Sequence, residues 1–483
     1  MRVSAPVPDI VRHIADRVRQ AGGRPLLVGG AVLDALRGVP AKDWDIEVFG
    51  LGYDRLAELF ADLDPKSVGK SFGVLKFPAA SVGGLDIDLS VPRRDNSVGK
   101  GHADFESTLD PSMSAREAAR RRDFSMNSMS IDLDTMELED PFGGHADFEA
   151  GVLRATDPET FVEDPLRALR AMQLLARKAE RVDPATMALI RGMVDAFPHL
   201  AKERVHEEFR KLLLVADKPS IGLEFLRESG WLVHFPELHD LIGCEQHPEW
   251  HPEGDVWTHT LYVTDAAAWA RRHVDPDWTE AFVLGVMLHD IGKPATTVTP
   301  EMVARGEYPS DRLFTAYGHD RAGEDPSGDF LRRMTNEREL IERVRSIVGE
   351  HMQPWGLFHG RAKDASWKRL HNRIRLDIIG WMSRCDCCGR AERRIDDPDF
   401  EHEVSQHCFD RFDDLGEEPI APVVLGRHLI AAGFTPGPAF SPALAAAYDA
   451  QIEDPALALD DLVGIAVSRM GDAPEPEAPV TDG

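Results

Sequence analysis

The sequence predicts an α+β protein: a head with a mixed β-sheet, followed by an all-helical neck and body and a further helical domain. Two observations predict this class. In the first ~135 residues, short strand-like apolar runs alternate with helical segments. From about Pro158 onward, apolar residues recur instead at i, i+3, i+4 and i+7, the spacing of one face of a helix.

The elements follow in order. The amino-terminal segment reads as an amphipathic helix, and "AVLDALRG" reads as a helix that ends at Gly38. A polar, glycine-containing stretch, residues 94–115, is expected to be a mobile loop. The Pro-rich acidic end, "GDAPEPEAPVTDG", is expected to be disordered. The strand candidates are "RPLLVGG", "WDIEVFG", "FGVLKF", "LDIDLSV" and "SMSIDLD", and the first later helices are "DPLRALRAMQLLARKAE", "DPATMALIRGMVDAF" and "ERVHEEFRKLLLVA".

Composition limits the class of protein. The net charge of −28 argues against broad, non-specific binding to nucleic acid, although it does not exclude a local basic groove. Five cysteines do not form a disulfide framework. No apolar run approaches the ~18 residues that a membrane span needs, and the amino terminus lacks the apolar block of a signal peptide. We therefore expect a cytoplasmic protein that does not enter a membrane.

Two strand candidates carry paired carboxylates. Asp43 and Asp45 are two residues apart, as are Asp86 and Asp88, so each pair projects from one face of its strand. Carboxylates that converge in this way repel one another unless cations lie among them, and Mg²⁺ prefers such oxygen ligands. Two Mg²⁺ ions can activate an attacking hydroxyl and stabilise a leaving pyrophosphate.

The adjacent Gly29 and Gly30 fit the same chemistry. They lie between a strand and a helix, where bare backbone N–H groups and the helix N-terminus attract phosphate. Considered alone, a Gly-Gly pair is more often a tight turn, and an Asp-x-Asp pair is more often a solvated strand edge. The combination of both with a second acidic strand favours a metal and phosphate site.

A family resemblance emerges from motifs that follow one another in the same order. Between about Leu26 and Leu214, the chain resembles the class II tRNA nucleotidyltransferases, the CCA-adding enzymes of the bacterial type with an HD domain, and the related bacterial poly(A) polymerases. The motifs are "GGAVLDALRG…KDWDIEV", "VGKSFGVLKF", "IDLSVPRRD", "RRRDFSMNSMSIDL", "DPFGGHADFEAGVLRATDPETFVEDPLRALRAMQLLAR" and "ERVHEEFRKLL".

This resemblance implies a fold and a set of roles. The head would have a polymerase-β-like nucleotidyltransferase fold, and the substrates would be CTP, ATP and the 3′ end of a tRNA. The matching catalytic positions are Asp43 and Asp45 for Mg²⁺, with Asp88 a better match than Asp86 for the third carboxylate. The matching nucleotide-binding positions, beside the glycines, are Arg121, Arg122, Asp123, Asn127, Glu163, Asp164, Arg167 and Arg170. One departure is Leu33, where the family commonly has arginine.

The "EDPLR" stretch has its own chemical logic. If Asp164 and Arg167 lie three apart on a helix, they share a face. The carboxylate could accept a hydrogen bond from the amino group that C and A both carry, while the arginine donates to the neighbouring ring nitrogen. The alternative is an exposed i,i+3 salt bridge at the start of a helix.

A second chemical site is predicted in the middle of the chain. "HPEGDVWTHTL" and "HDIGK" resemble the HD phosphohydrolase superfamily, which implies a divalent metal held by His259, His289, Asp290 and Asp386. Two-metal members carry extra ligands, and His319 and His351 lie where these would be. The donor set suits Ni²⁺, Mn²⁺, Fe²⁺ or Mg²⁺. The alternative is that the histidines are core residues.

The predicted organisation has four parts: a nucleotidyltransferase head (1–136), a helical neck and body that binds the base and RNA (137–225), an HD domain (226–400) and a helical tail (401–483). The predicted function is addition of CCA to tRNA, with a phosphohydrolase site of the 2′,3′-cyclic phosphodiesterase or phosphatase type. The alternatives are a poly(A) polymerase, a partial CC- or A-adding enzyme, and an HD phosphohydrolase whose head only binds RNA.

Overall fold

The computed structural model describes residues 1–41, 43–68, 73–97, 105–390, 394–397 and 400–470. The chain divides into two compact units. The first comprises Met1–His239 and Phe330–Asn336, and the second comprises Asp240–Asp329 and Glu337–Gly483. Across the part of the chain that is described, no helix combines the length and apolar character needed to cross a membrane.

The first unit is built on a mixed, seven-stranded sheet. Its strands are β1 (Arg24–Val28), β2 (Asp43–Phe49), β3 (Lys66–Val68), β4 (Val74–Phe77), β5 (Asp86–Ser90), β8 (Ser130–Asp132) and β9 (Leu138–Glu139). They lie in the order β3-β4-β5-β2-β1-β8-β9. β2 and β5 run parallel, whereas β1 pairs antiparallel with β2 and β8. The mixed sheet predicted from the sequence is therefore confirmed, and all five strand candidates lie in it.

The prediction of a loop over residues 94–115 is wrong for most of the described residues. β6 (Arg93–Ser97) and β7 (Phe105–Leu109) form an antiparallel pair outside the main sheet. Ser114 then begins a helix with a reciprocal capping box, in which its hydroxyl accepts from the Glu117 amide. The composition suggested a loop because these strands are polar. Residues 98–104 lie outside the described residues.

Eleven α-helices of the described residues belong to the first unit. The amphipathic α1 is confirmed, and α2 ends where predicted, with Gly38 in the left-handed region at φ 72°. Their bounds are α1 (Asp9–Gln20), α2 (Gly30–Arg37), α3 (Tyr53–Leu59), α4 (Ala115–Arg120), α5 (Gly144–Glu149), α6 (Pro158–Phe161), α7 (Leu166–Lys178), α8 (Pro184–Gly192), α9 (Lys202–Val215), α10 (Pro219–Ser229) and α11 (Pro236–His239). A parallel pair of two-residue strands, β10 (Val152–Leu153) and β11 (Arg181–Val182), lies among them.

An aromatic cluster closes the helical part of the first unit. The ring of Phe330 lies 5.6 Å from that of Phe235 and 6.0 Å from that of Phe209, measured between centroids. All three side chains are almost completely buried. A short segment from far along the chain thus completes the core of the amino-terminal unit.

In the described residues of the second unit, the regular elements are helices, and no strand is present. α13 and α12 pack against each other and against α20, and α13 is apolar on all sides because it is buried. The helices are α12 (Val256–Ala270), α13 (Thr279–Leu288), α14 (Lys293–Thr296), α15 (Pro300–Ala304), α16 (His319–Arg332), α17 (Arg338–Glu350), α18 (Gln353–His359), α19 (Asp364–His371), α20 (Leu376–Cys388), α21 (Glu403–Leu415), α22 (Gly426–Ala431), α23 (Phe440–Glu453) and α24 (Leu459–Met470). The last three residues of α16 belong to the first unit. The four-part domain division is finer than these two units and stays a prediction. The acidic end, 471–483, lies outside the described residues.

Candidate functional site

The pairing of β2 with β5 brings four carboxylates to one face of the sheet. In this parallel register, Asp43 lies opposite Asp86 and Asp45 lies opposite Asp88. Alternate residues of a strand share a face, so all four side chains project together. Lys76 of β4 lies beside them, with its Nζ 3.0 Å from Asp86 Oδ1 and 3.6 Å from Asp88 Oδ2.

This cluster is short of positive charge. Partial burial together with the charges of Asp88 and Asp43 raises the pKa of Asp45 to about 6. Burial also raises the pKa of Asp88, against the opposing effect of Lys76. Asp88 Oδ1 is buried and accepts no hydrogen bond among the described residues. Carboxylate oxygens in this arrangement are suitable ligands for Mg²⁺, and the open Oδ1 favours Asp88 over Asp86 as the third carboxylate of the site.

The Gly29–Gly30 turn lies directly against the carboxylates. Gly29 has φ 71°, and a Cβ placed on it would lie 3.0 Å from Asp45 Oδ2. Since α2 begins at Gly30, the N–H groups at its start have no partner further up the helix, although the Val32 amide donates to the Gly29 oxygen at 3.3 Å. The turn therefore offers backbone donors for phosphate next to the predicted metal ligands.

A buried glutamate that the sequence analysis did not single out holds two of the predicted arginines. Glu47 is two residues beyond Asp45 on β2 and is 4% exposed. Arg122 Nη2 donates to Glu47 Oε2 at 2.8 Å, and Arg121 Nη2 donates to Oε1 at 3.4 Å. Arg122 Nη1 also donates to the backbone oxygens of Asn127 and Met129. The strand alternation that marks Asp43 and Asp45 was the available signal for Glu47.

Asp123, Asn127 and Arg170 come together as one network. The buried carboxylate of Asp123 accepts from Asn127 Nδ2 at 3.0 Å and from Arg170 Nε at 2.6 Å. Burial would raise the pKa of Asp123, but Arg170 and these hydrogen bonds outweigh it and lower the pKa. Asp123 in turn raises the pKa of Arg170. In this structure the three groups hold one another.

Asp164 and Arg167 do not form the salt bridge that was the alternative interpretation of this stretch. α7 begins at Leu166, so Asp164 precedes the helix and accepts from the Leu166 amide. Its Oδ2 accepts from Arg204 Nη2 of α9 at 2.9 Å. The expectation that both residues lie on one helix is therefore wrong, because the helix starts only after Pro165.

Arg167 is held by backbone instead of by a carboxylate. Its Nη1 donates to the oxygen of Thr160 at 2.8 Å, and its Nη2 donates to the oxygen of Arg121. Burial lowers its pKa. Glu163, the other predicted member of this motif, is exposed.

In the second unit, four of the predicted ligands form a cluster. His259 Nε2 of α12 lies 3.0 Å from Asp386 Oδ1 of α20 and 3.8 Å from Asp290 Oδ2. His289 Nε2, just after α13, lies 3.2 Å from Asp290 Oδ2 and 3.7 Å from Asp386 Oδ1. Neither oxygen of the buried Asp290 accepts a well-aligned hydrogen bond among the described residues.

Of the two further histidines, His319 lies beside the other oxygen of the same aspartate, and His351 lies against His319. His319 Nε2 is 3.3 Å from Asp290 Oδ1 and 3.0 Å from His351 Nε2. One ligand atom from each of Asp290, His319 and His351 lies within 4.8 Å of the others, as is also true of His259, His289 and Asp290. Asp290 thus belongs to two adjoining groups of metal-ligand type.

Three neighbours of this cluster were missed from the sequence. Glu253 Oε1 accepts from His259 Nδ1 at 2.7 Å and from His251 Nδ1 at 2.9 Å. Lys293 Nζ lies 2.7 Å from Asp290 Oδ2. The carboxylate on Nδ1 leaves His259 Nε2 to face the cluster, an arrangement that orients a histidine ligand. Glu253 belongs to the "HPEGD" part of a motif quoted in the sequence analysis, but the motif did not indicate that its carboxylate contacts His259.

The charges around the cluster shift the pKa values of its histidines in opposite directions. Burial would lower the pKa of His289, but Asp290 and Asp386 raise it to about 10. Burial and the neighbouring His319 and His289 lower the pKa of His351 to about 3. The carboxylates thus favour a cation among them, whereas His351 stays neutral, the form in which imidazole binds a metal. Burial raises the pKa of Cys385 beside Asp386, as expected for a buried thiol.

Comparisons with known proteins cover both units. The family described as "Poly A polymerase head domain" matches residues 26–154, and "Probable RNA and SrmB- binding site of polymerase A" matches residues 181–242. A "Multifunctional CCA protein" of Azoarcus sp. (strain BH72) is 34% identical over 77% of this chain and 80% of its own. One of Xanthomonas campestris pv. campestris (strain B100) is 38% identical over 76% of this chain and 81% of its own.

Solved structures agree on the fold. The Bacillus stearothermophilus CCA-adding enzyme in complex with CTP has a TM-score of 0.64 at 19% identity and covers 96% of this chain and 98% of its own. The Thermotoga maritima CCA-adding enzyme complexed with tRNA has a TM-score of 0.54 at 18% identity, with 96% of each chain covered. From the sequence relatives above, which share more than a third of their residues with it over most of their length, we conclude that this chain belongs to the family of bacterial CCA-adding tRNA nucleotidyltransferases.

Proposed function

We propose that this protein transfers CMP and AMP from CTP and ATP to the 3′ end of tRNA and so builds the CCA terminus. The observation that carries the proposal is the parallel register of β2 and β5, which sets Asp45 beside Asp88 in a cluster of four carboxylates whose described ion pairs are with a single lysine, Lys76. The relatives called multifunctional CCA proteins and the solved CCA-adding enzymes bound to CTP and tRNA support the same substrates.

The carboxylates have two roles in the proposed reaction. Asp43 and Asp45 would hold Mg²⁺, which when bound would neutralise the triphosphate and acidify the attacking hydroxyl. Asp88, with an open Oδ1 and a raised pKa, accepts the proton of the tRNA 3′-hydroxyl. The hydroxyl oxygen then forms a bond to the α-phosphorus, and the bond from that phosphorus to the pyrophosphate oxygen breaks. The amides of the Gly29–Gly30 turn bind the phosphates that leave.

The protein also has to choose C and A over U and G. Asp164 lies at the start of α7 with one oxygen on the Leu166 amide and the other on Arg204. In the proposed complex, its carboxylate accepts from the exocyclic amine that C and A share, and Arg167 donates to the adjacent ring nitrogen. U and G have a carbonyl at that position, which cannot donate to the carboxylate, so the loss of this hydrogen bond would disfavour them by about 1–3 kcal/mol.

Extension of a trimmed tRNA tests the transfer. Purified protein is incubated with tRNA that lacks its CCA end, labelled CTP and ATP, and Mg²⁺, and the products are sequenced. Complete CCA supports the proposal, whereas long A tails or addition of only CC or A indicates one of the alternative transferases. Asp45→Asn should abolish incorporation, and Asp217→Asn, at an exposed site on the same unit, should not.

A second activity, hydrolysis of phosphoesters, is proposed for the second unit. The carrying observation is that the buried Asp290 belongs to two adjoining groups of metal-ligand type, one with His259 and His289 and one with His319 and His351. The residues that would hold metal are His259, His289, Asp290 and Asp386, with His319 and His351 beside Asp290 Oδ1. A divalent metal there, with Ni²⁺, Mn²⁺, Fe²⁺ and Mg²⁺ as candidates, would supply an activated water.

The two activities can be tested separately in the whole protein. Hydrolysis of a 2′,3′-cyclic nucleotide and of a simple phosphomonoester is measured with each metal in turn. Asp290→Asn should abolish hydrolysis but leave nucleotide incorporation intact, and Asp45→Asn should do the reverse. If no metal supports hydrolysis by the unaltered protein, the cluster is a structural feature and the second activity is refuted.

A further inference from the structure

Lys178 places an ammonium group at the Gly29–Gly30 turn. It is the last residue of α7, and a Cβ built on Gly30 would lie 3.7 Å from its Nζ. On the other side of the same turn, a Cβ built on Gly29 would lie 3.0 Å from Asp45 Oδ2. The turn therefore lies between the lysine and the predicted metal ligand.

The ammonium has no counter-anion in direct contact. Lys178 is half-buried, and its Nζ makes no hydrogen bond and no ion pair within 4 Å among the residues the structure describes. Burial lowers its pKa, the charges of Asp34 and Asp43 oppose this, and Arg177 and Arg37 add repulsion. A partly desolvated cation without an anion is unfavourable, so this position favours a negatively charged ligand.

The first turn of α2 brings no cation of its own. Its residues are uncharged, and Leu33, the position at which the resembled family commonly has arginine, is completely buried in the core. A side chain packed in the core cannot reach a phosphate. A positive charge that pairs with phosphate at this turn therefore has to come from another element, and Lys178 at the end of α7 lies there.

We propose that Lys178 binds the β- and γ-phosphates of the incoming nucleotide at the Gly29–Gly30 turn. This assignment rests on the proposed nucleotidyl transfer. When the bond between the α-phosphorus and the bridging oxygen breaks, the electron pair stays on the pyrophosphate, and the ammonium of Lys178 pairs with that charge. Lys178 thereby compensates for the apolar Leu33.

Lys178→Met tests the assignment because methionine keeps the unbranched apolar stem of the side chain and removes its charge. Lys218→Met, at an exposed lysine of the same unit, is the matched control. Binding of CTP and of CMP is measured by calorimetry, and KM, kcat and inhibition by pyrophosphate are measured in the tRNA extension assay. Lys178→Arg tests whether charge alone is sufficient.

We expect Lys178→Met to weaken CTP binding and pyrophosphate inhibition by about 10- to 100-fold, because a hydrogen bond to a charged group contributes about 1.5–3 kcal/mol. Binding of CMP, which lacks the two outer phosphates, should be unchanged, and Lys178→Arg should restore most of the affinity for CTP. The KM values for CTP and ATP should rise together, since the phosphates are common to both.

Two results would overturn the assignment: unchanged affinity for CTP, or an equal loss for CTP and CMP, which would mean that Lys178 only stabilises the end of α7. The outcome is separable from that of the proposed transfer. If the unaltered protein binds CTP more tightly than Lys178→Met but extends no tRNA, the phosphate contact stands and the transfer is refuted. If the unaltered protein binds no CTP, both are refuted.

Discussion

Replacement of Asp45 by asparagine should make the metal-free protein more stable and should abolish its stabilisation by Mg²⁺. Asparagine has almost the same size and shape as aspartate but carries no charge. In the structure, Asp45 is repelled by Asp88 and Asp43 and is partly withdrawn from water. Removal of the charge therefore relieves repulsion in the metal-free state while it removes a ligand.

The magnitude follows from the raised pKa. An increase from 3.8 to about 6 corresponds to about 3 kcal/mol, since one pKa unit is worth about 1.4 kcal/mol. The side chain is still accessible to solvent, and screening reduces this to about 1 kcal/mol. For a unit of this size, 1 kcal/mol shifts the melting temperature by about 2–4 °C.

Calorimetry with and without Mg²⁺ measures both effects. In a chelating buffer at pH 7, Asp45→Asn should melt about 2–4 °C above the unaltered protein, and hydrogen exchange of the β2 peptide should be slower. With saturating Mg²⁺, only the unaltered protein should gain stability. Asp217→Asn, at an exposed aspartate without such neighbours, should behave like the unaltered protein in both buffers.

The reasoning is refuted if Asp45→Asn melts at or below the temperature of the unaltered protein without metal. It is equally refuted if the variant still gains the full stabilisation from Mg²⁺. Either result would mean that the four carboxylates of β2 and β5 are ordinary solvated side chains and not a cation site.

Three further predictions follow from the same contacts. Glu47→Gln should destabilise the first unit by about 2–3 kcal/mol and slow CMP incorporation at least tenfold, because Arg122 loses the negative charge of its buried partner. The calorimetric and extension assays measure the two effects. Glu58→Gln alters only an exposed pair and should change neither result. The pKa of Asp45 is higher in the folded state than its unfolded value of 3.8, so the folded state binds a proton more tightly. The free energy of unfolding of the metal-free protein should therefore fall by about 1 kcal/mol as the pH rises from about 4 through 6. The same pH series on Asp45→Asn should lack this fall. Glu253→Gln should weaken Ni²⁺ binding about 10- to 100-fold in a metal titration, because the carboxylate that orients His259 loses its charge; unchanged affinity would contradict the role of Glu253.

The sequence predicted the chemistry of each strand better than the contacts between strands. The alternation in "DWDIEV" and "LDIDLS" placed each aspartate pair on one face. It could not show that β2 and β5 are parallel neighbours, because that pairing joins segments some forty residues apart. Glu47 was overlooked for a different reason: it continues the same alternation, but its partners Arg121 and Arg122 come from a distant helix end.

Where the sequence interpretation failed, local spacing had been preferred over a distant partner. Asp164 and Arg167 are three apart, and an i,i+3 pair would be natural if both were helical. Pro165 instead places Asp164 before α7, and the carboxylate binds Arg204, forty residues further on. In the second unit, by contrast, the sequence motifs named six residues that the structure brings together around Asp290, although they did not reveal the contact from Glu253 to His259.

The return of residues 330–336 to the amino-terminal unit has a practical consequence for dissecting this protein. A polypeptide cut after His239 would lack Phe330, and the rings of Phe209 and Phe235 would then face water. Loss of a buried phenylalanine costs about 3–5 kcal/mol, a large part of the stability of an ordinary domain. The first unit therefore cannot be produced as an independent domain by truncation after His239. Point substitutions separate the two proposed activities better than truncation does.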